Sequence, residues 1–176
     1  PKKRHAAYLM RTSTNYLTVL VIYGIAYSPM TNINYNFKNK NVVVTGAAQG
    51  IGFKITQAFL SAGAQVSLWD YSAEGLQNAT KELSAFQSQI HTAQVNVADK
   101  ASVAAAAQSL PWQVDVLVNN AGITRDKSFG KMQAEDWDAV INVNLSGLFY
   151  VTKGLTEKFN QTNTNKRIVN ISSVDR

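Results

Sequence analysis

Thr45-Gly46-Ala47-Ala48-Gln49-Gly50-Ile51-Gly52 places three glycines within seven residues, directly after a β-branched run and before a helical repeat. Between a buried strand and a helix, such glycines allow a tight turn and a close approach of backbone to a pyrophosphate. The helix N-terminus adds unpaired N–H groups and a partial positive charge. Two further places invite chemistry. Asn144 is a lone amide on an apolar stripe with Trp137, Ile141 and Leu148, where it would be costly without partners. Ser172 and Ser173 end an apolar run, at the carboxyl edge where open α/β sheets bind ligands. The chain has no cysteine, which excludes disulfides, thiolate metal sites and a cysteine nucleophile, and its two histidines, His5 and His91, stand too far apart for a His-rich zinc site.

The elements that must position these residues follow from periodicity. Asn41–Thr45 reads as a buried strand, and Ile51, Ile55, Ala58, Phe59 and Ala62 recur at helical spacing until Gly63. Gln65–Asp70 is a second strand, and Ser72 caps a helix running to about Phe86. Ile90–Val97 reads as a third strand, and Asp99 caps an alanine-rich helix that Pro111 ends. Val114–Val118 is a fourth strand. A long helix over about Ala134–Phe159 carries Trp137, Val140, Ile141, Leu145, Leu148, Val151, Leu155 and Phe159 as one stripe, and Arg167–Ile171 is a fifth strand. Alternating strands and helices predict an α/β fold with a parallel sheet covered on both faces.

Charge sets the first 40 residues apart. Of 17 Lys and Arg in the 176 residues, Lys2, Lys3, Arg4, Arg11, Lys38 and Lys40 lie there with no acidic residue, so the rest holds 11 basic against 11 acidic side chains. The net charge of +6 therefore belongs to the N-terminal segment and argues against a nucleic-acid-binding face on the folded body. Lys2-Lys3-Arg4 before the apolar run Leu17–Tyr27 has the order of a signal peptide, but the run is too short for a membrane span. We read residues 1–34 as an atypical upstream extension and 35–176 as the folded domain, with Met30 a natural start and the cytoplasm the expected compartment.

The spacing TGxxxGIG at Thr45–Gly52, together with Asn119-Asn120-Ala121-Gly122 after the fourth strand, resembles the short-chain dehydrogenase/reductase family over about residues 35–174. The stretch Gly122–Asp126 (GITRD), with Trp137 and Asn144-Leu145, is most similar to 3-oxoacyl-[acyl-carrier-protein] and acetoacetyl-CoA reductases. The resemblance implies a Rossmann-type doubly wound sheet binding a nicotinamide dinucleotide. Gly46, Gln49, Gly50, Ile51 and Gly52 would line the pyrophosphate and its ribose. Asp70 would accept hydrogen bonds from the adenosine ribose hydroxyls and repel a 2′-phosphate, so NAD(H) is expected to be preferred, with NADP(H) possible. Asn96 and Val97 stand where the family shows Asp-Val beside the adenine; Asn96 keeps an acceptor and loses the charge. Asn120, Ala121 and Gly122 would approach the ribose, and Asn119 would tie strands together. Asn144 matches the family's catalytic Asn, which holds a relay water. Ser173 matches the substrate-orienting serine, with Ser172 as fallback.

One part of the family's pattern has no match. The proton-donating Tyr of a YxxxK motif should follow the serine by about a dozen residues, yet no Tyr occurs beyond Tyr150 and Arg176 stands where the family usually shows a glycine. Tyr150-Val-Thr-Lys153 has two intervening residues, precedes the serine strand, and reads as an ordinary helix surface. The expectation is a fold truncated after its fifth strand, with negligible turnover of its own. For the parent protein it is reduction of a 3-oxoacyl thioester on acyl-carrier protein or CoA, in a homo-oligomer. Alternatives are another short-chain dehydrogenase acting on a sugar, steroid or alcohol, and a non-catalytic nucleotide-binding remnant. Arg125, Lys127 and Lys131 read first as a solvated loop, and otherwise as a surface meeting the acidic carrier protein or CoA phosphates.

Overall fold

The computed structural model describes residues 11–12, 15–16, 35–159 and 166–172. Contacts divide the chain into two units, Pro1–Tyr35 and Asn36–Arg176. In the first, Arg11–Thr12 pairs antiparallel with Asn15–Tyr16. The basic triplet and the apolar run Leu17–Tyr27 lie outside the described residues.

The second unit holds five parallel strands: β1 (Asn41–Thr45), β2 (Gln65–Asp70), β3 (Ile90–Gln94), β4 (Val116–Asn119) and β5 (Arg167–Asn170), in the order β3-β2-β1-β4-β5. Helices α1 (Gly50–Ser61), α2 (Ala73–Glu82), α3 (Lys100–Ser109), α4 (Ala134–Ile141) and α5 (Gly147–Gly154) connect them. The order reverses between β1 and β4, which opens a crevice at their carboxyl ends. This is the α/β parallel sheet expected from the alternation, in the Rossmann-type arrangement that the family resemblance implies.

The central strand shows why these runs lack polar alternation. Val42 and Val44 pack with Leu60, Leu68 and Leu76 on one face of the sheet, whereas Val43 packs with Trp69, Val103 and Leu155 on the other. With both faces covered, successive side chains are all buried, and β-branched residues suit the pleat. Ser72 and Asp99 cap as expected: Ser72 Oγ accepts from Gly75 N at 2.9 Å, and Asp99 Oδ1 from Ala101 N at 2.9 Å.

Several boundaries and faces differ from expectation. β3 stops at Gln94 rather than Val97, because Asn96 Oδ1 accepts from Ala98 N and turns the chain. α2 ends at Glu82 and a 3₁₀ segment, Ser84–Gln89, carries the chain onward. β4 begins at Val116, with Val114 bridged instead to Phe159. The buried face of α1 is Gly52, Phe53, Thr56 and Leu60, while Ile51 is 65% exposed.

The long helix is also not one helix. A π-helical turn, Asn142–Ser146, separates α4 from α5, and a 3₁₀ turn, Thr156–Lys158, follows. The expected stripe falls on two faces: Val151 and Leu155 are buried, whereas Trp137 and Leu145 are 60% and 63% exposed. Glycines select the inward face. A Cβ on Gly147 would stand 2.9 Å from Val97 Cγ2, and one on Gly154 the same distance from Val103 Cγ1. The helix turns its smallest side chains toward the body, which brings its axis close to α3.

Candidate functional site

The site begins where β1 ends. Thr45 is buried, and its hydroxyl oxygen accepts from Asn120 N and Ala121 N, each at 3.0 Å. Asn120 Nδ2 returns the link, donating to the carbonyls of Thr45 at 3.0 Å and Gly46 at 3.1 Å. The glycine loop and the Asn119–Gly122 segment are thereby tied into one structure. Thr45 was not among the expected site residues, although it opens the TGxxxGIG motif. A strand-ending hydroxyl beside a glycine turn was the available signal.

Two glycines are required by this closeness. Gly46 has a φ of +63°, and a Cβ there would lie 2.9 Å from Ala121 Cα. A Cβ on Gly52 would overlap the Gly46 carbonyl oxygen, which sets which face α1 turns inward. Gly50 has a φ of +57° and open space where its side chain would be, on the exposed side of the loop. Gln49 is the extended N-cap residue of α1, and its side chain makes no capping bond. The first-turn N–H groups of Gly50, Ile51 and Gly52 thus have no side-chain cap and no acidic neighbour in their own turn.

Asp70 ends β2 beside this loop. Its Oδ2 accepts from Ala48 N at 2.9 Å and its Oδ1 from Ser72 N at 3.0 Å, while Ala47 N donates to the Trp69 carbonyl at 3.2 Å. The carboxylate therefore holds the loop as well as facing it, and each oxygen keeps acceptor capacity.

Asn144 differs from its expected setting. It lies in the π turn and is exposed, not buried in an apolar stripe. Its Oδ1 accepts from Ile123 N at 2.9 Å and its Nδ2 donates to Ile123 O at 3.0 Å, which pins the segment leaving Gly122. π turns recur at functional positions because they redirect side chains and free backbone carbonyls. Asn119 is buried, and its Nδ2 donates to Asn170 Oδ1 at 3.0 Å and Thr152 Oγ1 at 3.2 Å, which joins β4 to β5 and α5. Its Oδ1 has no partner among the described residues.

The fold gathers Thr45, Val97, Asn119, Ala121, Asn144 and Ile171 around one narrow cleft at the carboxyl end of β1 and β4. Asn96 stands outside that lining, its Oδ1 engaged by Ala98 N at 3.1 Å. Ser172 is exposed just after β5, and Ser173 lies outside the described residues. Tyr150 belongs elsewhere: the Lys100 ammonium sits 5.0 Å from its ring centroid. Among the described residues no cluster of His, Asp or Glu could hold a metal, and no helix is long and apolar enough to cross a membrane.

The short chain dehydrogenase family matches residues 40–175. The chain is 41% identical over 140 residues to the 3-oxoacyl-[acyl-carrier-protein] reductase FabG of Thermotoga maritima, covering 78% of this chain and 56% of that protein. It is also 34% identical over 143 residues to the 5-keto-D-gluconate 5-reductase of Escherichia coli, covering 80% and 56%. The chain thus spans little more than half the length of the curated relatives it matches. Among solved structures, a short-chain dehydrogenase/reductase (glucose/ribitol dehydrogenase) of Brucella melitensis superposes with a TM-score of 0.71 at 31% identity, over 81% of this chain and 60% of that one. The Pseudomonas aeruginosa RhlG/NADP active-site complex gives 0.72 at 26% identity, over 80% and 57%. With the glycine loop, its locked partner segment and the strand order all on one crevice, the chain belongs to the short-chain dehydrogenase/reductase family, whose members are NAD(P)-dependent oxidoreductases.

Proposed function

We propose that this chain is the dinucleotide-binding part of a reductase acting on 3-oxoacyl thioesters, with NAD(H) as its preferred cofactor. The observation that carries the cofactor reading is the loop Gly46–Gly52, held by Thr45, Asn120 and Asp70 through the protein's own hydrogen bonds. Pre-assembly matters because a backbone anion site is strong only if its N–H groups need not reorganise on binding. The open side of Gly50 and the uncapped turn of α1 fit a diphosphate, and Gly46, Gln49, Gly50, Ile51 and Gly52 would hold it.

Asp70 supports the preference for NAD(H). A carboxylate at the end of β2 repels a 2′-phosphate, while its remaining lone pairs suit ribose hydroxyls. Val97, beside Gly147, supplies an apolar wall for the adenine end; Asn96 contributes there through its amide rather than its carbonyl, which Ala98 N occupies. Asn120, Ala121 and Gly122 line the path to the nicotinamide ribose. When bound, the nicotinamide supplies a hydride; Asn144 would hold a relay water, and Ser173, with Ser172 beside it, would orient the substrate oxygen.

Among the described residues, the lining of the cleft holds no ionisable side chain to supply the proton needed in reduction. Its polar side chains, Thr45, Asn119 and Asn144, are hydroxyl or amide groups already engaged with the protein. The thioester reading rests on Gly122–Asp126 and the similarity to FabG; the similarity to 5-keto-D-gluconate 5-reductase favours a polyol or sugar acid as the second reading. Lys127 is bound to Asp136 at 2.6 Å, so Arg125 and Lys131 are the better candidates for an acidic carrier protein. A second copy of the chain is the proposed partner for the exposed side of α4 and α5, and the cytoplasm the proposed compartment.

Calorimetric titration with NADH and NADPH tests the central claim. NADH should bind at least about tenfold more tightly, and an Asp70→Asn variant should narrow that gap. Equal or tighter binding of NADPH overturns the preference, and no binding of either overturns the cofactor reading.

A further inference from the structure

His91 lies away from the cleft, on edge strand β3, opposite Ser67 in the β2–β3 ladder. Its Nδ1 is 2.8 Å from Ser67 Oγ, and Trp69 Nε1 donates to the same oxygen at 3.0 Å. An indole N–H is a donor only, so Ser67 Oγ is already an acceptor for Trp69. Ser67 is fully buried, and its own proton is satisfied when it points to His91 Nδ1. This assigns neutral His91 the tautomer with its proton on Nε2.

A second proton breaks that order. Nδ1 becomes a donor, Ser67 Oγ then faces two donors, and its hydroxyl proton has no other acceptor among the described residues. The oxygen's two lone pairs can accept from both, but the Ser67 proton is then a buried donor without a partner, which weighs against the protonated ring and loosens the shared geometry. Burial already lowers the His91 pKa below its ordinary value. Trp112 covers the ring edge-on at 5.7 Å between centroids. The charged groups on the surrounding elements are engaged elsewhere: Asp70, three residues further along β2, holds Ala48 and Ser72, Lys100 at the start of α3 sits over Tyr150, and Lys158 donates to the Leu110 carbonyl. The Leu110–Gln113 connection and β3 itself carry none besides His91.

Trp69 is the link to the glycine loop. Its carbonyl accepts from Ala47 N, and the next residue, Asp70, accepts from Ala48 N. We propose that His91 is a proton-sensitive positioning residue for the glycine loop, acting through Ser67 and Trp69, so that acid loosens the anchorage of Ala47 and Ala48 and weakens dinucleotide binding. The binding half of this statement rests on the cofactor reading above; the anchorage half does not.

The experiment is an NMR pH titration of the unliganded 176-residue chain, followed by NAD⁺ affinity at about pH 7.5 and about pH 5.5. The Ala47 and Ala48 amides and the Trp69 indole should move with the His91 ring at a shared midpoint below about 6.5, and affinity should fall at least about threefold in acid. His91→Asn keeps an acceptor where Nδ1 stands but does not titrate, and it should flatten both responses while binding normally at neutral pH. Ser67→Ala removes the conflict and should raise the His91 midpoint if the Asn variant fails to fold. A His91 ring that titrates at or above 6.5, or that titrates without moving the two amides, overturns the proposal. Undiminished acid sensitivity in His91→Asn does the same. Absence of NAD⁺ binding at both pH values breaks the cofactor reading instead, and the amide titration then decides the anchorage alone.

Discussion

The crevice between β1 and β4 and the outer side of α4 and α5 are built on opposite plans. At the crevice, Thr45, Asn120, Ala121 and Gly46 satisfy one another across strands far apart in sequence. On the outer side, Trp137, Leu145 and Phe149 turn apolar surface to solvent, as does the edge strand β5, every residue of which is exposed. The crevice is a shape fixed by the protein's own hydrogen bonds. The outer side is a surface whose burial these residues leave to something else. Ligand selectivity should therefore respond to single-atom changes at the first region, and association to large changes at the second.

Gly52→Ala is expected to have the largest effect, because the new methyl meets backbone rather than a movable side chain. Loop displacement should abolish measurable NADH binding and cost about 2–4 kcal/mol of stability, read by calorimetry and urea unfolding. Thr45→Val comes next. It keeps the shape but strips two half-buried N–H groups of their acceptor, which should cost about 1–3 kcal/mol, while Thr45→Ser should restore most of it. If Thr45→Val proves neutral, the crevice is not held as described.

Asn144→Ala should cost less, about 1 kcal/mol, since its two bonds to Ile123 lie at the surface where water replaces them. Trp137→Lys should leave stability nearly unchanged yet shift light-scattering mass toward the monomer. An unchanged mass would remove the proposed second copy from this face. The smallest effect belongs to Asp136→Asn. The Lys127 ammonium and the Gln133 amide hold the Asp136 carboxyl below its usual pKa. Its contribution is present above the ordinary carboxylate pKa and is lost as the pH falls through the lowered folded value. The substitution should shift Tm by about 1–2 °C near neutrality and by less in acid.

Chain-wide features were legible because they depend on local pattern. The buried β1 run, the Ser72 and Asp99 caps, and the glycine turn between strand and helix are set within a few residues of one another. Helix faces were not legible from large apolar residues alone. Ile51, Trp137 and Leu145 satisfy helical periodicity yet point outward, because α1 and α5 approach their neighbours through Gly52, Gly147 and Gly154. Close packing favours the smallest side chains at the nearest approach, and a search for large ones selects another face.

The sequence by itself determined a parallel α/β sheet, a glycine loop after β1 and an acidic residue ending β2, since each follows from residue type at short range. Only the tertiary structure decided that Thr45 is the hub of the crevice, that Asn144 is held by Ile123 on a π turn, and that His91 shares a hydroxyl with Trp69. Those pairings join residues 21 to 76 positions apart. Their partners are chosen by strand order and burial, which no local spacing encodes.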